Sequence, residues 1–116
     1  MVVKKILDAY DMSADKTEVV KLADINRNAK YTSVGVSFRS VTGTLDGTFK
    51  IYVSDDPVPI DDYDYTLEKT LDIDSANNNL DKLIYYIPAN ISNVKFIYAK
   101  NNITGGEMTV TLGTGA

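Results

Sequence analysis

Cysteine, histidine and tryptophan are all missing from this chain of 116 residues. Without cysteine there is no disulfide framework, no zinc–thiolate site and no thiol nucleophile. Without histidine the commonest general base and the commonest imidazole metal ligand are gone. Cationic residues are in deficit, 12 Lys and Arg against 16 Asp and Glu, for a net charge of −4 and a pI near 4.6. Electrostatic binding of nucleic acid needs a basic face, so that class of partner is not expected. No apolar run approaches the roughly 20 residues of a membrane span. The start, Met1-Val2-Val3-Lys4-Lys5-Ile6-Leu7-Asp8, lacks the unbroken apolar stretch of a signal peptide. The expectation is synthesis in a cytoplasm, with no signal peptide and no membrane partner.

What the chain does have is alternation. In Gly47 to Asp56, Phe49, Ile51 and Val53 alternate with Thr48, Lys50 and Tyr52, and Ser54-Asp55-Asp56-Pro57 closes the run with turn-forming residues. The same period places Val34, Val36 and Phe38 on an inward face within Tyr31–Val41, with Arg39 outward. Tyr65–Ile73, Lys82–Ile87, Val94–Ala99 and Glu107–Leu112 read as further strands, and Thr17–Leu22 as another. Val2–Leu7 is a short candidate strand, followed by a loop from Asp8 to Lys16 in which Met12–Lys16 has room for one helical turn. Two prolines at Pro57 and Pro59 bar the following stretch from a central strand. Asp24–Asn28, Asp74–Asn79 and Asn90–Asn93 read as turns.

These elements amount to about eight short strands with turn signals between them, a pattern of two-sheet sandwiches and jelly rolls. The expected fold is therefore all-β, a single-domain antiparallel two-sheet β-sandwich, jelly-roll-like, over residues 1–112, with 113–116 as a short flexible C-terminal tail. Thr42–Gly47 is expected to join its flanking strands as an antiparallel hairpin, and Lys100–Gly106 is expected to be a second hairpin loop.

Two features compete for the role of a site. Asp55, Asp56, Asp61, Asp62 and Asp64 crowd one loop, and hard cations want several oxygen ligands. The order is not that of an EF-hand, so a solvated acidic loop is expected and no metal. Tyrosine is abundant, and Tyr63 and Tyr65 stand beside these acids. Aromatic rings on a sandwich surface stack on sugars or anchor protein interfaces, although tyrosine also suits half-buried strand positions. Tyr63, Tyr65, Asp61 and Asp62 are thus the candidate binding residues. No catalytic residue and no cofactor are expected: Ser54 has no histidine to activate it, and Gly105-Gly106 lacks the Lys-Ser/Thr of a phosphate loop.

Three stretches carry a resemblance. They are Met12–Leu22 with Tyr31–Phe38; the Gly-x-apolar-x-apolar-x-apolar-Ser-x-Asp strand and turn at Gly47–Asp56; and Val94–Leu112, where Phe96-Ile97-Tyr98-Ala99-Lys100 leads through Gly105-Gly106 into Met108–Leu112. Together they resemble small β-sandwich structural proteins of tailed bacteriophages, minus the Trp that often follows the turn. The resemblance implies a non-enzymatic virion component, an auxiliary or decorating capsid or head-associated protein. Its implied partners are other virion proteins, in many copies or as a homo-oligomer. The alternative is a carbohydrate-binding module directed at host-surface glycan.

Overall fold

Alternating apolar residues do become strands, and their order in space is what the chain order conceals. The computed structural model describes residues 2–25, 31–87 and 91–115. Its strands are β1 (Val2–Asp11), β2 (Lys16–Lys21), β3 (Tyr31–Gly43), β4 (Gly47–Ser54), β5 (Thr66–Ile73), β6 (Leu83–Ile87), β7 (Asn93–Ala99) and β8 (Ile103–Gly115). Two four-stranded sheets form, ordered β1-β8-β3-β6 and β2-β7-β4-β5, with every pair antiparallel. This is the strand order of an eight-stranded jelly roll. The all-β, two-sheet expectation holds.

Between the sheets lies one core. Val34, Val36 and Phe38 of β3 and Met108, Val110 and Leu112 of β8 face Phe49 and Ile51 of β4 and Val94, Phe96 and Tyr98 of β7. The Phe49 ring stacks on Phe96 at 5.7 Å and meets Phe38 edge-on at 6.4 Å, so one ring contacts both layers. Arg39 is exposed, as the alternation requires. Tyr98 is buried, and its hydroxyl donates to the Met12 carbonyl at 2.8 Å. Burial pushes that phenol well above its ordinary range. The bond fixes the turn between β1 and β2, where Met12 is itself wholly buried and no helical turn forms.

Several local expectations need correction. β3 and β4 are not a hairpin: Gly43–Gly47 carries the chain from one sheet to the other. The Lys100–Asn102 turn makes the same crossing from β7 to β8. The only chain-consecutive strands that pair directly among those described are β4 and β5. Asp8–Asp11 belong to β1, which continues past irregularities in its pairing with β8. Gly113–Gly115 are no loose tail: they finish β8, buried between Val2–Val3 of β1 and Tyr31–Ser33 of β3. Gly113 and Thr114 are paired with strands on both sides and Gly115 with Tyr31 of β3, which is why three small residues without apolar side chains hold the end of a central strand. Ala116, Asn26–Asn28 of the first turn, Pro88 and Asn90 lie outside the described residues.

Candidate functional site

Residues 55–65 join β4 to β5, and the carboxylates of Asp56, Asp61 and Asp64 are spent on building the loop itself. Ser54 Oγ accepts from the Asp56 amide at 3.1 Å, and Asp56 Oδ1 accepts from the Val58 amide at 2.9 Å. The start of β7 holds this leg: Asn93 Nδ2 donates to the Asp56 carbonyl at 3.0 Å, and Ser92 Oγ to that of Asp55 at 3.3 Å. Ser54, the hydroxyl weighed above as a nucleophile, is a buried structural acceptor here.

The second leg is a 3-10 turn, Asp62–Asp64, closed by a capping box. Asp61 Oδ1 accepts from the Tyr63 amide at 3.0 Å, while Asp64 Oδ2 accepts from the amides of Ile60 and Asp61 at 2.7 and 3.2 Å. Asp62 instead receives Lys95 Nζ at 3.0 Å. That ammonium also rides over the Tyr65 ring at 4.4 Å and the Tyr52 ring at 5.6 Å. Asp56, Asp61, Asp62 and Asp64 therefore face their own amides or Lys95 rather than a common point. Among the described residues no three carboxylates gather as a metal site.

The amides of Ile60 and Asp61 hold the Asp64 carboxyl below the usual aspartate range. A lowered folded-state pKa means this support is in force above the unfolded value, 3.8, and is lost as pH falls through the lower folded value. Amide exchange followed by NMR should therefore find Ile60 and Asp61 equally protected from neutral pH down to 3.8, with loosening only at lower pH. Asp64→Ala should loosen both amides already at neutral pH, where the unaltered chain keeps them protected. Unchanged exchange in that variant would show that the carboxylate does not order the loop.

What this frame presents is apolar. Ile60 is 87% exposed and Tyr63 97%, with Val58 also exposed. The four residues named from the sequence thus share one loop but divide by role. Tyr63 stands free, Tyr65 is half-buried with Lys95 over its ring, Asp61 is a cap and Asp62 an ion-pair partner. Tyr63 and Tyr65 do not form a shared stacking platform. Val58 and Ile60 were passed over in the sequence. Their signal was present in the form of two apolar residues inside a Pro- and Asp-rich turn that no strand claims.

A second surface lies across the sandwich, on the outer face of the β1-β8-β3-β6 sheet. Pairing sets Val3, Gly113, Ser33 and Tyr86 in one cross-strand row, and Lys5, Thr111, Gly35 and Ile84 in the next. Small residues in the middle and Val3, Ile84 and Tyr86 on the edge strands leave a shallow groove of about 160 Å³. The aliphatic stem of Lys82 lies against Gly35, where a Cβ would come within 2.6 Å of Lys82 Cε. Sequence reading missed this groove because its floor joins residues from opposite ends of the chain.

Among the described residues no helix is long and apolar enough to cross a membrane. No family model and no curated protein matches the chain. Among solved structures it is similar to one described as the crystal structure of infectious bursal disease virus VP2 subviral particle, at 13% identity and a TM-score of 0.47. The match covers 95% of this chain and 30% of that one, so the present chain spans under a third of its length.

Proposed function

We propose that this chain is a non-enzymatic virion structural protein of the tailed-phage kind, an auxiliary or head-associated capsid component that works by protein–protein contact. The observation that carries the reading is the β4–β5 loop, which exposes Val58, Ile60 and Tyr63 while capping its own backbone. A loop built stiff around exposed apolar side chains loses little conformational freedom on docking and gains their burial. The resemblance in the sequence supplies the virion setting. Other virion proteins are the partners this reading requires.

The rival reading, a glycan-binding module, asks for open aromatic faces with few apolar neighbours. Tyr65 is covered by Lys95, and Tyr63 shares its loop with Val58 and Ile60, which favours a protein partner. Particles purified from the source that encodes the chain should contain it in many copies by quantitative mass spectrometry, and a glycan array should stay blank. Particles without the chain would overturn the virion role. A glycan signal that Tyr63→Ala abolishes would install the rival.

A further inference from the structure

We infer that the β4–β5 loop of one copy docks into the outer-face groove of a second copy, so that the protein associates head to tail with itself. This rests on the contact role just proposed and names the partner. The two surfaces complement each other in shape. On one side is a self-capped loop carrying Ile60 and Tyr63; on the other is a floor of Ser33 and Gly113, beside the Lys82 stem that lies over Gly35, between the rims Val3 and Tyr86.

They also complement each other in charge. The loop holds five carboxylates, Asp55, Asp56, Asp61, Asp62 and Asp64, against the single ammonium of Lys95. The groove is bordered by Lys82 and Lys5. Lys82 has no ion pair among the described residues, and Lys5 has only an exposed contact to Asp8 at 3.5 Å, which holds it weakly. An acidic projection meeting a lysine-bordered groove is steered into register and kept from docking on acidic surfaces.

Placement decides that the contact is between copies. Tyr52 and Lys95, on which the loop rests, point away from the core on the β2-β7-β4-β5 sheet, whereas the groove lies on the outer side of the other sheet. The core packed between the two sheets separates the two faces. A loop cannot fill its own groove. A contact between two different surfaces of identical copies is heterologous, and it propagates into a ring or a chain.

Light-scattering mass across a micromolar-to-millimolar series tests this with three proteins: the unaltered chain, Ile60→Glu in the loop and Ile84→Glu in the groove. Both replaced side chains are exposed, and circular dichroism with a thermal melt checks each fold. Lys82→Glu provides a second groove variant should β6 not tolerate the first. The unaltered chain should grow past a dimer as concentration rises. Either variant alone should need about 10- to 100-fold higher concentration to associate, the cost of one lost aliphatic anchor. An equimolar mixture of loop and groove variants should recover association but stop at the dimer, since one good loop meets one good groove. A monomeric unaltered chain, unchanged association in Ile60→Glu, or a mixture that fails to pair would each overturn the inference. None of these results touches the particle and glycan measurements that decide the broader role.

Discussion

Replacing Phe49 with alanine should cost about 3–5 kcal/mol of stability, the range for removing a buried aromatic ring from a core that only partly collapses around the void. Phe49 is fully buried at the centre of β4, between β7 and β5, stacked on Phe96 and edge-on to Phe38 from the facing sheet. Losing it therefore weakens packing within one sheet and the contact between the two. Neither layer can close the gap, because both backbones are held by ladder hydrogen bonds. Thermal unfolding followed by circular dichroism should show a midpoint lower by something on the order of 10–20 °C. Leu67→Ala on the edge strand β5, where the side chain is exposed, should change stability by no more than about 0.5 kcal/mol. Equal losses in the two variants would refute a core centred on Phe49.

Gly43→Ala is expected to be the most damaging change outside the core. The residue sits where the chain leaves β3 for the other sheet, at φ +93°, a backbone conformation that L side chains rarely adopt. A Cβ there would lie 2.5 Å from the Asn102 carbonyl oxygen and 2.8 Å from the Thr104 amide nitrogen. Both are backbone atoms, so no rotamer change relieves the clash. The Asn102 carbonyl also accepts from the Thr44 amide at 3.2 Å. Asp46 clamps the same place, its Oδ1 accepting from the Asn102 amide at 2.9 Å while its carbonyl accepts from Asn101 Nδ2 at 2.6 Å. The Asn102 amide, with its side chain, holds the Asp46 carboxyl below its usual range. The β3–β4 and β7–β8 crossings are thus locked to each other.

The expected loss for Gly43→Ala is about 2–3 kcal/mol, combining backbone strain with the displaced carbonyl. Gly105→Ala is the control: its Cβ would meet only Thr42 Oγ1, at 3.0 Å, and the expected cost is about 1 kcal/mol or less. Urea denaturation of both variants measures the difference. A Gly43→Ala protein as stable as its Gly105→Ala counterpart would mean that the crossing is not held as described.

These two sites mark the boundary between what alternation reveals and what it does not. Phe49, Ile51 and Val53, or Val34, Val36 and Phe38, announce their inward face because side chains in a strand repeat every second residue. The same period says nothing about which strand lies alongside. Thr42–Gly47 and Lys100–Gly106 have the glycine and asparagine of hairpin loops, yet both connections lead across the core from one sheet to the other. The loop acids lack the EF-hand order, and the structure turns Asp56, Asp61 and Asp64 onto amides of their own loop. The exposure of Val58 and Ile60 is not legible from the sequence, because it depends on how the loop around them caps itself.

From the sequence alone came the strand class, the inward residues of the alternating runs and the lack of histidine and cysteine, all of which depend on residue identity and near-neighbour spacing. Only the tertiary structure decided the jelly-roll strand order, the embedding of Gly113 and Thr114 between β1 and β3, and the groove whose lining Gly113 shares with Gly35. It alone turned Tyr63 outward and put Lys95 over Tyr65. Those features depend on segments far apart in the chain meeting across or beside a core. Which segments meet is settled by the burial and hydrogen bonding of the whole molecule, not by the residues next door.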